Sequence, residues 1–266
     1  MKPVTLITGA SSGIGADLAR VFAAHGHELV LVARREDRLT ALAGEIAATG
    51  RPRPAVLALD LVRRDAAAAL AAELAARGLE PAFVVNNAGF GLSGAAADLD
   101  HAEQFAMIDV NVRALTELSL AFVDSLVRHR GGILNVASIA AFLPGPGMAV
   151  YYATKAYVLS FSEALHHELA GRGVRVTALC PGPVRTEFQA RSGMQLPAVA
   201  KLFELPPRRV AEIGYSALMR GQRVVIAGTG NRIAIALTRL LPNALVLRLV
   251  DQRAKVTSGA QWCDSL

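Results

Sequence analysis

A single domain built on a doubly wound, parallel α/β sheet is the fold this sequence predicts, on three observations. Seven short runs are apolar almost without interruption, as expected of strands covered on both faces. Longer segments with apolar residues at helical spacing alternate with them. The first run leads directly into a glycine-rich turn that opens one of those helices.

The strand candidates are Val4–Thr8, Glu28–Ala33, Ala55–Leu59, Ala82–Asn86, Gly132–Ala137, Arg175–Leu179 and Val224–Ala227. Helical candidates between them include Ile14–His25, Asp37–Ala48, Arg64–Arg77, Glu103–Arg128 and Tyr152–Arg172. No linker, repeat or low-complexity tract divides the 266 residues. With 53% hydrophobic and 19% charged residues the chain can bury a substantial core, which excludes disorder as its main state.

The formal charge of +6 comes largely from arginine, which supplies 24 of the 28 basic residues. They are scattered, so the basic stripe that nucleic-acid binding requires is missing. Two cysteines, Cys180 and Cys263, cannot form a disulfide framework, and the expected location is cytoplasmic. The N-terminal apolar run enters a glycine turn instead of a cleavage site. The most lipid-like stretch, from Ile233 to Val250, is interrupted by Arg239, Pro242, Asn243 and Arg248. A mid-membrane arginine costs about 2.5–3.5 kcal/mol, so a spanning helix is not expected there. His166 and His167 are adjacent on a helix and diverge, which argues against a metal site. Cys180 reads as core packing, and His25-Gly26-His27 as a helix C-terminal turn.

The glycine turn reads Gly9-Ala10-Ser11-Ser12-Gly13-Ile14-Gly15. Small residues let a backbone approach a pyrophosphate, which the positive end of the following helix stabilises. The spacing is GxxxGxG, not the GxGxxG of the dinucleotide fingerprint. The second strand ends in Ala33-Arg34-Arg35-Glu36. A carboxylate at this place accepts hydrogen bonds from a ribose 2′-hydroxyl, whereas arginine accommodates a 2′-phosphate. Arg34 and Arg35 therefore favour NADP(H) over NAD(H), with Glu36 keeping NAD in play.

A third pattern is Tyr151-Tyr152-Ala153-Thr154-Lys155 at the start of a helix. Residues four apart share a helix face, so a phenol and an ammonium project together from 151 and 155. A free tyrosine is only about 0.1% ionised at neutral pH. A nearby cation can lower that pKa toward the range of efficient proton transfer. By spacing alone Tyr152 serves nearly as well as Tyr151.

Taken together these patterns resemble the short-chain dehydrogenase/reductase family, in its shorter single-domain branch. The resemblance runs from Thr8-Gly9 to Pro181-Gly182-Pro183-Val184-Arg185-Thr186. It includes Asp60 after the third strand, Asn86-Asn87-Ala88-Gly89 after the fourth, Asn111, Ser138 and the Tyr-x-x-x-Lys that selects Tyr151 over Tyr152. It implies an oxidoreductase that interconverts a carbonyl and an alcohol by hydride transfer. Tyr151 would be the general acid/base, and Ser138 would bond the substrate oxygen. Lys155 would hold the nicotinamide ribose and lower the phenol's pKa, and Asn111 would anchor a relay water. Gly9, Ser11, Ser12, Gly13, Ile14 and Gly15 would form the cofactor turn, with Asp60 and Leu61 facing the adenine. Asn87, Ala88 and Gly89 would line the cofactor's middle. Pro181, Gly182, Val184 and Thr186 would grip its nicotinamide end. Relatives often assemble through the long helices after the fourth and fifth strands, which implies a homodimer or homotetramer.

Two other readings stand beside this one. A non-catalytic sensor of NADP(H) would have no need of the intact Ser138, Tyr151 and Lys155. A sugar-nucleotide epimerase/dehydratase-like enzyme usually carries a further substrate domain, yet 86 residues follow Cys180. The segment from about 183 to 207, with Phe188, Met194, Leu196, Leu202 and Phe203, is expected to form a substrate lid. The segment from about 231 to 252 carries more apolar side chains than packing one helix on a sheet requires, and Asn231 is placed to cap a helix from Arg232. Three uses are open to it: a subunit interface, a cover over a bulky apolar substrate, or peripheral contact with a membrane surface.

Overall fold

The computed structural model describes residues 1–193, 203–238 and 240–251. Met194, Leu196, Leu202, Arg239 and everything after Asp251, including Cys263, lie outside the described residues.

All seven predicted strands form, within a few residues of the expected bounds: β1 Lys2–Thr8, β2 Leu29–Ala33, β3 Ala55–Ala58, β4 Leu79–Asn86, β5 Gly132–Val136, β6 Arg175–Cys180 and β7 Val224–Ile226. They make one parallel sheet in the order β3-β2-β1-β4-β5-β6-β7. On one face lie α1 (Gly13–Ala24), α2 (Glu36–Ala48) and a later helix, Pro207–Met219. Phe22, Leu39, Val210 and Leu218 there bury Ile7, Leu31, Leu134 and Leu179. On the other face lie α3 (Ala66–Ala76), the helices that follow β4, and the long helix Ala149–Ala170. From that side Leu70, Leu118, Leu126 and Leu165 cover Leu6, Val30, Val84 and Ile133. Consecutive strand residues such as Leu6 and Ile7 thus enter different cores, which is why both positions are apolar.

The expected continuous helix Glu103–Arg128 is corrected. The chain forms α4 (His101–Ile108), a π-helical segment Asp109–Ala114, α5 (Leu115–Ala121) and α6 (Val123–Arg128). The widened turn carries Asn111, fully buried, whose amide donates to Phe90 O (2.9 Å) and Thr154 Oγ1 (3.0 Å). Its Oδ1 accepts from Phe90 N at 3.1 Å. Such tertiary bonds hold a π-bulge that apolar periodicity alone does not reveal. Phe122, between α5 and α6, leaves helical dihedrals (φ −112°, ψ 12°) and divides the remainder.

After β5 come a 3₁₀ turn, Ile139–Phe142, and α7, Ala149–Ala170, which starts three residues earlier than expected. The buried stripe of α7 runs Tyr151, Lys155, Val158, Leu159, Ser162, Leu165 and Leu169. The i, i+3, i+4 pattern that packs this helix on the sheet also carries the tyrosine and the lysine at its upper end. Beyond β6 lie α8 (Glu187–Ser192), α9 (Pro207–Met219), α10 (Thr229–Thr238) and α11 (Asn243–Val250).

A polar seam runs through the centre of this core. Asn86 Nδ2 donates to Ser119 Oγ and Asn135 Oδ1, both at 2.9 Å, and Asn135 Nδ2 donates to Ser162 Oγ at 2.9 Å. These four side chains tie β4 and β5 to α5 and α7 in a dry interior, where an abandoned donor is costly. Asn135→Ala is expected to destabilise the protein by about 1–3 kcal/mol in urea unfolding. A loss below about 0.5 kcal/mol would show that the neighbours find other partners.

Candidate active site

The crevice lies where β1 and β4, neighbours in the sheet, send their following helices to opposite faces, the switch point at which open α/β sheets hold ligands. Thr8 ends β1, and its hydroxyl accepts from the backbone N–H groups of Asn87 and Ala88, both at 3.1 Å. Asn87 Nδ2 returns bonds to Thr8 O (3.0 Å) and Gly9 O (3.2 Å). Sequence reasoning gave Thr8 no role, and the structure shows it tying β1 to the loop after β4. The glycines follow from this closeness. A Cβ on Gly15 would lie 2.3 Å from Gly9 O, and Gly9 has φ +65° with a Cβ position 2.8 Å from Ala88 Cα. Only glycine fits such contacts and that left-handed backbone.

Ser12 leads into α1 with its hydroxyl turned to Arg35 Nη2 (2.9 Å) instead of capping the helix. Arg35 also donates to Ser11 Oγ from Nε (3.3 Å) and Nη2 (3.1 Å). Its Nη1 meets Glu187 on α8 at 2.8 Å, and Arg38 Nη1 bonds the other oxygen of that carboxylate. Arg34 Nη1 stands 3.9 Å from Asp60, whose Oδ1 accepts from Val62 N at 3.1 Å. Glu187 and Arg38 were not legible as site residues, because their partners are more than a hundred positions apart in the chain.

At the other end of the crevice Tyr151 is 8% exposed and Lys155 5% exposed. Ser138 stands beside Tyr151 in the cavity wall, and its side-chain oxygen accepts from Ala140 N at 3.1 Å. Lys155 Nζ donates to Val136 O (2.8 Å) and lies 5.9 Å from the centre of the Tyr151 ring. Tyr152 packs edge-on to Tyr151 (6.1 Å) and over Gly145. The phenol whose pKa the motif implied would be lowered by Lys155 is instead pushed up by burial, opposed by Ser138. Burial likewise pushes the Lys155 ammonium down to about 8. Both groups of a charge-dependent pair are desolvated by the same apolar surroundings.

Gly89 allows the loop after β4 to approach this pair: a Cβ there would lie 2.9 Å from Asn111 Oδ1 and 3.5 Å from Lys155 Nζ. Both donors of the Asn111 amide are spent on Phe90 and Thr154. The side chain therefore positions the loop. Pro181 O accepts from Ile139 N at 2.9 Å, and Val184 bridges to Leu205. Thr186 accepts from Phe188 N at 3.3 Å to cap α8, and a Cβ on Gly13 would touch its methyl group at 3.0 Å.

One cavity of about 580 Å³ connects these places. Of the predicted site residues, Gly15 and Asn111 lie behind its wall and the others line it. Its charged lining residues, among those described, are Arg34, Arg35, Asp60, Glu187 and Lys155. Beyond Tyr151 the lining is apolar, with Phe90, Ile139, Leu143, Phe188 and Val250. The described part of the expected lid contributes Pro183, Val184 and the run from Thr186 to Gln189 to this wall. Asn231 is corrected: it sits inside α10, 3% exposed, and donates to Ala227 O (2.8 Å) and Phe203 O (3.3 Å) instead of capping a helix. From α11, Val246 is buried and Val250 reaches the cavity, while Ile233, Leu237 and Leu240 are exposed.

No described helix is long and apolar enough to cross a membrane, and the described residues hold no group of three or more His, Cys, Asp or Glu able to bind a metal. His166 Nδ1 meets Val176 O at 2.8 Å while His167 points outward, so the pair diverges as its spacing requires. Gly26, at φ +86°, closes α1 beside His25 in the expected C-terminal turn.

The glycine cradle and the depth of the crevice fit a dinucleotide cofactor. Comparison with known proteins agrees. The model of the short chain dehydrogenase family matches residues 3–196. Sulfoacetaldehyde reductase 2 of Chromohalobacter salexigens is 41% identical over 196 residues, 71% of this chain and 75% of the relative. A short-chain dehydrogenase from Sphingobium yanoikuyae, solved in complex with NADPH, is 32% identical at a TM-score of 0.77, covering 99% of this chain and 98% of its own. The bulky-bulky ketone specific alcohol dehydrogenase from Comamonas testosteroni is 27% identical at a TM-score of 0.74, covering 100% and 97%. With a family model matched over most of the chain and a solved relative aligned along nearly all of it, this protein belongs to the short-chain dehydrogenase/reductase family of oxidoreductases.

Proposed function

We propose that this enzyme is an NADPH-dependent reductase of a bulky, apolar ketone or aldehyde, running in reverse on the corresponding alcohol. The observation that carries the reading is the position of Tyr151: its phenol stands between the cation-bearing half of the cavity and the apolar half. The nicotinamide, when bound, supplies or accepts the hydride. Tyr151 delivers its proton to the carbonyl oxygen, and burial keeps the phenol protonated until that moment. Ser138, beside Tyr151 in the cavity wall, is placed to donate to the same oxygen as negative charge develops there. Lys155 is the buried cation available to the ribose and to the proton leaving or reaching Tyr151. Arg34 and Arg35 hold the 2′-phosphate through charge-assisted bonds.

The apolar half argues for the substrate class. Phe188 packs on Tyr151 at 5.4 Å, and Met107, Ala140 and Met148 bury the same ring. Apart from Lys155, the described residues around this end present no cation to a sulfonate or carboxylate substrate. Here the similarity to the ketone-specific enzyme outweighs the higher identity to the sulfoacetaldehyde reductase.

Tyr151→Phe is expected to lower turnover by about 10²–10⁴-fold while cofactor affinity stays unchanged. Tyr152→Phe should keep most of the activity, and the reverse pattern would move the proton donor to Tyr152. Calorimetry should find NADPH bound at least about tenfold tighter than NADH, with the difference largely abolished in Arg34→Ala/Arg35→Ala. Equal affinities in the unaltered enzyme would assign the ribose to Glu36. In a panel of carbonyls followed by NADPH absorbance, bulky apolar ketones should give the highest kcat/KM, and Val250→Asp should lower it for them. Preference for small anionic aldehydes would overturn the apolar reading.

A further inference from the structure

The guanidinium of Arg35 is a hub. Its Nε and Nη2 hold both serines of the glycine turn, and its Nη1 holds Glu187 from α8. Arg38, one helical turn further along α2, binds the second oxygen of the same carboxylate. Glu187 thus occupies two cations on the rim of the phosphate-binding end, and they hold its carboxyl down to about 2. The carboxylate is about half exposed, so water and salt can replace it at modest cost. Glu187 precedes Phe188, whose ring packs on Tyr151, so the ion pairs also anchor the first turn of α8 over the site. Neither Ser11 and Ser12 nor the arginines alone account for an acid at this place.

We propose that Glu187 is a specificity-determining residue: a resident anion that Arg35 exchanges for a 2′-phosphate while Arg38 retains the carboxylate, so that Glu187 sets how strongly the site selects a phosphorylated ribose. The inference rests on the reading that Arg35 takes that phosphate. A guanidinium has a fixed fork of donors, and with Nε and Nη2 committed to the serines, the Nη1 edge that Glu187 occupies is the one left to meet a phosphate. Arg38 makes the exchange cheap, because Glu187 keeps one partner after Arg35 turns away.

The test is calorimetric titration of 2′,5′-ADP and 5′-ADP into the unaltered protein, Glu187→Gln, Arg38→Ala and the double variant. Glu187→Gln is expected to tighten 2′,5′-ADP about two- to fivefold, the scale of an exposed ion pair, and to leave 5′-ADP unchanged. Arg38→Ala should weaken 2′,5′-ADP in the unaltered background, since Glu187 then falls back on Arg35 alone. In the Glu187→Gln background the same change should have no effect. The proposal is overturned if Glu187→Gln weakens 2′,5′-ADP, leaves it unchanged, or shifts both nucleotides alike. An Arg38→Ala loss of equal size in both backgrounds would likewise overturn it and make Arg38 a direct phosphate ligand. If the unaltered protein binds both nucleotides equally, the cofactor reading fails first and this inference fails with it.

Discussion

Everything functional in this enzyme depends on how closely the carboxyl ends of β1 and β4 can approach. The backbone N–H groups of Asn87 and Ala88 donate to the Thr8 hydroxyl and the Asn87 side-chain amide donates to the carbonyls of Thr8 and Gly9, so the loop after β4 is fixed against the glycine turn. Bonds this short between two loops leave no volume for side chains, so Gly9 and Gly15 are obligatory where the backbones cross. The crevice exists because α1 leaves toward one face of the sheet and α4 toward the other.

From that fixed edge the Tyr151–Lys155 pair is reached through packing. The stripe of α7 that buries Val158, Leu165 and Leu169 against the sheet also delivers Tyr151 and Lys155, so their positions are as rigid as the core. The cost is desolvation. Burial drives the phenol's pKa up, opposed by Ser138, and the ammonium's down, while Lys155 Nζ donates to Val136 O. The π turn completes the arrangement: by widening the helix at Asn111 it places an amide where it can hold both backbone groups of Phe90. A π-bulge is a small local loss of helix geometry kept where such contacts compensate.

The two halves of the cavity follow different physics. At the dinucleotide end, fixed dipoles and guanidinium groups favour negative charge, and most partners there are half exposed. At the substrate end the contacts are apolar and shape matters more than charge. Alpha-helix α8 stands at the junction, with Glu187 facing the arginines and Phe188 facing Tyr151. The apolar segment that follows β7 divides in a similar way: Val246 is buried and Val250 lines the cavity, while Ile233, Leu237 and Leu240 are exposed.

The seven strands, their parallel arrangement and the glycine turn were legible in the amino-acid sequence, because strand burial and turn geometry impose local patterns of composition. The Tyr-x-x-x-Lys spacing likewise marks one helix face, whatever that face meets. Spacing alone could not choose between Tyr151 and Tyr152; their different surroundings, with Ser138, thirteen residues away on another element, acting on Tyr151 and not on Tyr152, exist only in the folded chain. Apolar periodicity runs unbroken through 103–128, so it could not show the π turn at Asn111, which is held by bonds to Phe90 and Thr154. Asn231 looked like a helix cap for the same reason: its buried bonds to Ala227 and Phe203 are made only when β7 and the chain before α9 come together. Local sequence determines which segments are strands, helices and tight turns, since those depend on neighbours in the chain. The meeting of Arg35 with Glu187 across 152 positions, and the sign of the Tyr151 shift, depend on which surfaces pack and which exclude water, and only the tertiary structure decides that.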